Sequence, residues 1–170
     1  YEKKDYFRFE GKKLDAYWFS PPLPEFRRIF ISELKVEELS EEAQRIILSY
    51  TKEVNVDPLD ALDLNDAHAV SAFLHTPLWR LPLLSDYQRL LQESEYASWV
   101  IYNRYYLNHY TISVHQLKEG YNTLDQFNHF LESIGIQLND AGGKTKVSGD
   151  GLLLQSSTVA QIIEASFDNN

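Results

Sequence analysis

Residues 108–158 read NHYTISVHQLKEGYNTLDQFNHFLESIGIQLNDAGGKTKVSGDGLLLQSST. At its head, Tyr110, Ile112 and Val114 alternate with His109, Thr111, Ser113 and His115, and side chains two apart share one face of a strand. That spacing predicts a strand with an apolar face for a helix and a polar face that turns imidazoles and hydroxyls toward a cavity. Asn122 or Thr123 is placed to cap the next helix. Along it Leu124, Phe127, Leu131 and Ile134 recur at helical spacing, and Gly135 stands where a left-handed terminus is needed. Three more strands are expected at residues 136–138, 144–148 and 152–155, divided by the turn-forming runs 139–143 and 149–151. The whole is one β-α-β-β-β unit, an α+β arrangement.

The same three-strand ending recurs earlier. Strands are expected at residues 5–10, 14–19 and 28–34, joined by Glu10-Gly11-Lys12 and by Pro21-Pro22-Leu23-Pro24. This resembles half of a repeat whose first strand and helix would precede Tyr1. The 170 residues are therefore expected to form a single, incomplete domain. Residues 1–36 end a first module, 37–107 form a helical insertion, and 108–170 form the second module. Within the insertion Ser40 precedes Glu41 and Glu42, and Ala43, Ile46, Ile47 and Tyr50 mark the apolar stripe of a helix that ends near Val54. A less regular stretch, 57–82, carries His68 and His75 in its loop. A second long helix is expected from about Ser85 to Tyr106, burying Tyr87, Leu90, Leu91 and Ala97.

Composition narrows the function. The chain is 44% hydrophobic and 14% aromatic, enough for one globular core. A net charge of -9, with no run of Lys or Arg, argues against nucleic acid, whose phosphates require a basic face. No apolar run approaches the roughly 20 residues that cross a bilayer, so no membrane partner is expected and the cytoplasm is the default location. With no cysteine, disulfides, zinc-thiolate sites, iron-sulfur clusters and thiol nucleophiles are excluded within these residues. A metal here is held by His, Asp or Glu.

Phosphate-loop and nucleophile-elbow patterns are absent, the paired glycines being turns. Ser156 and Ser157 have no His and Asp in a recognisable order nearby, so a serine-hydrolase reading is weak and these side chains suit a strand end at a site rim. By spacing alone His109 and His115 are more simply ordinary strand residues than ligands. They would also lie about 20 Å apart at about 3.3 Å per residue, too far to share an ion. His129 is expected in solvent. Glu33, set among Phe30, Ile31 and Leu34, reads either as a strand-end residue near solvent or as a ligand or its partner.

Several long runs go further: 16–22 (AYWFSPP), 29–34 (IFISEL), 93–97 (ESEYA), 107–113 (LNHYTIS) and 150–159 (DGLLLQSSTV). In them the chain resembles the DUF1338 family, which includes the 2-oxoadipate dioxygenases/decarboxylases, also called 2-hydroxyglutarate synthases, of bacterial lysine breakdown and of plants. The resemblance runs through nearly the whole chain in the same order. It implies a vicinal-oxygen-chelate-like, glyoxalase-like fold and a mononuclear iron(II) held by two histidines and one glutamate, a set in which another divalent metal can take the place of iron in a crystal. His109 matches the second histidine. The first histidine and a substrate-gripping arginine are expected before Tyr1, and the glutamate after Asn170. These residues alone would then hold one of three ligands and be inactive.

For the intact protein the resemblance implies oxidative decarboxylation of a 2-oxo dicarboxylic acid, 2-oxoadipate, by O2 to give 2-hydroxyglutarate. By strand parity, Thr111, Ser113, Gln155 and Ser157 are the candidates for the cavity wall. Two alternatives stay open: another metal-dependent, glyoxalase-like enzyme, an isomerase or hydrolase that keeps His109 as ligand, and a non-catalytic binding domain in which His109 is a plain strand residue.

Overall fold

Strands β1 (Glu2–Phe9), β2 (Leu14–Ser20) and β3 (Ile29–Leu34) form an antiparallel sheet in that order in the computed structural model, which describes residues 1–104, 106 and 109–169. Leu14 pairs with Phe9 on one side and Leu34 on the other, and Asp15 with Arg8 and Glu33, so the two faces of β2 are set by alternation along Leu14-Asp-Ala-Tyr17. The β1–β2 connection contains Gly11, yet the residue that takes the left-handed conformation is Lys13, at φ 53°. A 3-10 turn over Glu10–Lys12 delivers the chain to it, closed by the Lys13 amide on the Glu10 carbonyl at 3.2 Å.

The apolar centre of this part lies among three helices, α1 (Glu41–Thr51), α3 (Leu84–Glu93) and α4 (Glu95–Asn103). Leu39, Ala43, Ile47, Tyr50, Leu90, Ala97 and Ile101 are buried there, with Leu34 at the end of β3 packed against them. Each buried Leu or Ile side chain stabilises the fold by about 1.5–3 kcal/mol relative to exposure. Ser40 starts α1 by accepting the Ala43 amide on its Oγ at 3.2 Å, as Ser-Glu-Glu at a helix start predicts.

Two expectations are corrected in this region. The helix expected from Ser85 to Tyr106 is two helices, broken at Ser94, whose φ -147° and ψ 107° are extended. Ser94 Oγ accepts the Ala97 amide at 3.1 Å, and Glu95 sits in the first turn of α4. A serine ahead of a glutamate starts a new helix more favourably than it continues the old one. The stretch 57–82 also holds a helix, α2 (Ala67–Leu74), capped by Asp66, whose Oδ1 accepts the amides of His68 and Ala69 at 2.8 and 3.2 Å. His68 is thus in a helical first turn, and His75 follows the helix with Nδ1 2.7 Å from the Ser71 carbonyl.

The chain divides into two compact units: the first takes residues 1–106 and the segment from Ser166 on, the second the stretch between them. In the first, the returning Phe167 ring sits 5.2 Å from both Tyr87 and Tyr102, and the Asp168 amide reaches the Pro82 carbonyl at 3.0 Å.

In the second unit Thr123 caps α5 (Leu124–Ser133) through the Gln126 amide, and Gly135 closes it at φ +85°, which a glycine adopts without steric cost. The three strands expected after it shrink to β4 (Lys146–Val147), β5 (Leu154–Gln155) and a single bridge from Leu138 to Thr158. Side chains intercept the amides that a longer ladder would use: Ser148 Oγ accepts Leu153 N–H at 2.9 Å and Asp150 Oδ1 accepts Leu152 N–H at 3.1 Å. The strand expected over 109–115 is not formed either. Gln116 N–H bonds the Ser113 carbonyl at 3.0 Å, turning the backbone into a 3-10 helix over Val114–Gln116, and His109–Ser113 lies outside both sheets.

Candidate functional site

The second unit carries most of the candidate residues, and its best-defined part is the run from Leu154 to Val159. This run is held from both sides: β5 pairs with β4, the Asn139 amide reaches the Ser157 carbonyl at 2.8 Å, and the Val159 amide reaches the Gln137 carbonyl at 2.9 Å. Ser156 is half-buried and donates its hydroxyl to Asn128 Oδ1 of α5 at 2.5 Å. Gln155 and Ser157, on either side of it, are exposed. Alternation therefore puts the Gln155 amide and the Ser157 hydroxyl on the face turned away from α5.

The other three candidates of this unit are placed differently. His109, Thr111 and Ser113 are exposed and belong to no strand, so the alternation that gave Thr111 and Ser113 a common face with His109 does not hold. Ser113 instead precedes the 3-10 turn and gives up its carbonyl to it. Asn108, at the head of this run, lies outside the described residues. Among the described residues no three His, Asp or Glu side chains gather into a group able to hold a metal ion.

Glu33 belongs to the first unit. On β3, opposite Asp15, its carboxylate is 3.7 Å from Lys35 Nζ and its side chain is half exposed. Of its apolar neighbours in sequence, Phe30 and Leu34 take the opposite face of the strand and Ile31 shares the face of Glu33.

Beside Glu33 lies a charge network that sequence reading missed. Asp15 is nearly buried and takes the Tyr6 hydroxyl at 2.8 Å and Arg8 Nη1 at 3.1 Å, with Lys35 Nζ at 3.9 Å. Arg8 also reaches Glu38 at 2.6 Å. The hydroxyl and the guanidinium hold the Asp15 carboxyl below its usual range against the opposing effect of burial, and Tyr6 is pushed up by the same bond. The one sequence signal for it was a charged residue between Leu14 and Ala16 in an otherwise apolar strand.

Comparison with known proteins shows the family. The family model for 2-oxoadipate dioxygenase/decarboxylase matches residues 1–170. The chain belongs to that family. A 2-oxoadipate dioxygenase/decarboxylase of Arabidopsis thaliana, named as chloroplastic, is 43% identical over 182 residues, covering 98% of this chain and 46% of the plant protein. The crystal structure of the hydroxyglutarate synthase from Oryza sativa in complex with 2-oxoadipate superposes with a TM-score of 0.77 at 42% identity, covering 94% of this chain and 52% of the rice chain. The chain thus spans about half the length of these 2-oxoadipate dioxygenase/decarboxylase relatives. A glyoxalase-superfamily protein from Ralstonia eutropha, 16% identical, shares the fold at a TM-score of 0.64 over 96% of the chain. The glyoxalase-like α+β fold expected for this family member is the one found.

Proposed function

We propose that this chain is part of an iron(II)-dependent dioxygenase/decarboxylase that converts 2-oxoadipate and O2 to 2-hydroxyglutarate and CO2. The observation that carries the reading is the 42% identity, over 94% of the chain, to a hydroxyglutarate synthase crystallised with 2-oxoadipate. The overall reaction balances: one O2 is consumed, one carbon leaves as CO2, and a six-carbon keto diacid becomes a five-carbon hydroxy diacid.

His109 is the proposed iron ligand. Among the described residues no three carboxylate or imidazole side chains gather, so these residues do not by themselves make an iron site. What these residues offer is recognition. Gln155 and Ser157 present an amide and a hydroxyl as donors to an oxygen-rich acid, and the net charge of -9 means that such an anion needs local donors to offset the field of the chain.

The test is made on the full-length protein. With 2-oxoadipate, equal molar O2 uptake, CO2 release and 2-hydroxyglutarate formation are expected, and no O2 uptake would overturn the reaction. In His109→Ala, iron content is expected to fall together with turnover; iron retained at the wild-type level would sink the ligand assignment.

A further inference from the structure

Asn128 is the buried polar side chain of the second unit among the described residues, on a face of α5 otherwise made of Leu124, Phe127 and Leu131. A buried amide costs stability unless its hydrogen bonds are made, and Ser156 provides one at 2.5 Å. Backbone pairing holds both edges of the strand it grips, through β4 and through the Asn139–Ser157 and Val159–Gln137 bonds, but side-chain patterning does little to fix its parity. Leu152, Leu153 and Leu154 are all exposed, so apolar residues fall on both faces, and Gln155 to Thr158 are all polar. Hydrophobic alternation ordinarily sets register, and here it is silent. The ladder is short as well, with β4 and β5 two residues each and one bridge at Leu138.

We propose that Asn128 is a positioning residue: its bond to Ser156 selects which residues of the Gln155–Thr158 run face the substrate, and so makes Gln155 and Ser157 the donors to a carboxylate of the 2-oxo acid. A shift of one residue would turn Ser156 and Thr158 to that face and bury Gln155 against α5. The substrate half of this inference rests on the functional reading above; the pin itself does not.

These 170 residues hold no cysteine, and peptide mass spectrometry assigns each label to its position, so thiols introduced singly as Ser156→Cys and Ser157→Cys report the parity of the strand in the full-length protein after a small methanethiosulfonate reagent. With Asn128 present, the thiol at 157 is expected to react about tenfold faster than that at 156, because reaction follows exposure of the thiolate. Asn128→Leu is expected to bring the two rates within about threefold and to raise KM for 2-oxoadipate about tenfold with kcat little changed. Asn128→Asp keeps an acceptor oxygen of the same shape and is expected to keep the ratio. Should Asn128→Leu not fold, Ser156→Ala removes the other half of the bond, and labelling at 157 is expected to slow about tenfold in that background. Equal rates with Asn128 in place, a ratio that survives Asn128→Leu, or labelling at 157 left unchanged by Ser156→Ala would overturn the pin. A ratio that collapses in a protein with no 2-oxoadipate turnover supports the pin and overturns the functional reading.

Discussion

Tyr50 of α1 donates its hydroxyl to Asp86 of α3 at 2.6 Å and accepts the Leu83 amide on the same oxygen at 3.0 Å. One fully buried hydroxyl thus ties two helices together and satisfies the backbone at the entrance to the second. Tyr50→Phe removes the oxygen but leaves the ring under the Arg80 guanidinium, 4.0 Å from its centroid. The Leu83 amide and Asp86 then lose a partner in a partly buried setting, and the expected loss is about 1–3 kcal/mol in urea unfolding. An unchanged midpoint would mean that water replaces the hydroxyl.

Leu90 lies at the centre of the same cluster with no exposed surface. Leu90→Ala should cost about 2–5 kcal/mol, the transfer loss plus the cavity left among Ile47, Tyr50 and Ile101. Exposed Leu48, on the far side of α1, is the control, and Leu48→Ala should change the midpoint little.

Asp15 predicts a pH dependence of known sign. Its carboxyl is held low by the Tyr6 hydroxyl and by Arg8, so the folded state binds that proton less readily than the unfolded state. The resulting stability is present above the unfolded value, about pH 4, and is lost as pH falls through the lower folded value. Asp15→Asn should flatten this acid limb in unfolding midpoints measured from pH 6 down to pH 3, and a limb of unchanged slope would rule Asp15 out as its source.

Arg104 ends α4 at φ 60°, ψ -127°, a backbone conformation that favours glycine, and its guanidinium donates to the carbonyls of Trp79, Arg80 and Tyr102. Arg104→Gly relieves backbone strain of about 1–3 kcal/mol and deletes charge-assisted bonds worth about 1.5–3 kcal/mol each. The bonds are several and the strain is single, so a net loss of stability is expected. A gain in melting temperature would show that the carbonyls are content with water.

If Gln155 and Ser157 bind the 2-oxo acid, Gln155→Ala and Ser157→Ala should each raise KM for 2-oxoadipate about tenfold while leaving the unfolding midpoint unchanged, since both side chains are exposed. Unchanged KM in both variants would remove them from the cavity wall.

Much of the architecture was legible because it is local chemistry. The runs Glu10-Gly11-Lys12 and Pro21-Pro22-Leu23-Pro24 marked off β2 and β3, Ser40 and Thr123 announced α1 and α5, and Gly135 closed α5, each within a few residues of the signal. The break at Ser94 was missed, because the apolar spacing on either side suggested one helix; the Ser-Glu pair at the head of α4 was the signal for it. Alternation over 109–115 read equally well and failed, since a strand exists only through a partner and a 3-10 turn at Ser113 claims the backbone first. Family membership was legible in the long runs around Trp18, His109 and Gln155, because it needs only order and identity.

The sequence by itself determined the elements whose causes lie within a turn or two of the chain, the α+β class, and the family. Tertiary structure alone decided that Asn128 meets Ser156 across 28 positions, that Asp15 gathers Tyr6, Arg8 and Lys35 around one carboxylate, and that Phe167 returns to Tyr87 and Tyr102. The physical reason is common to all three. A buried polar or aromatic group is satisfied by whatever the fold brings within about 3 to 6 Å of it, and sequence separation carries no information about that distance.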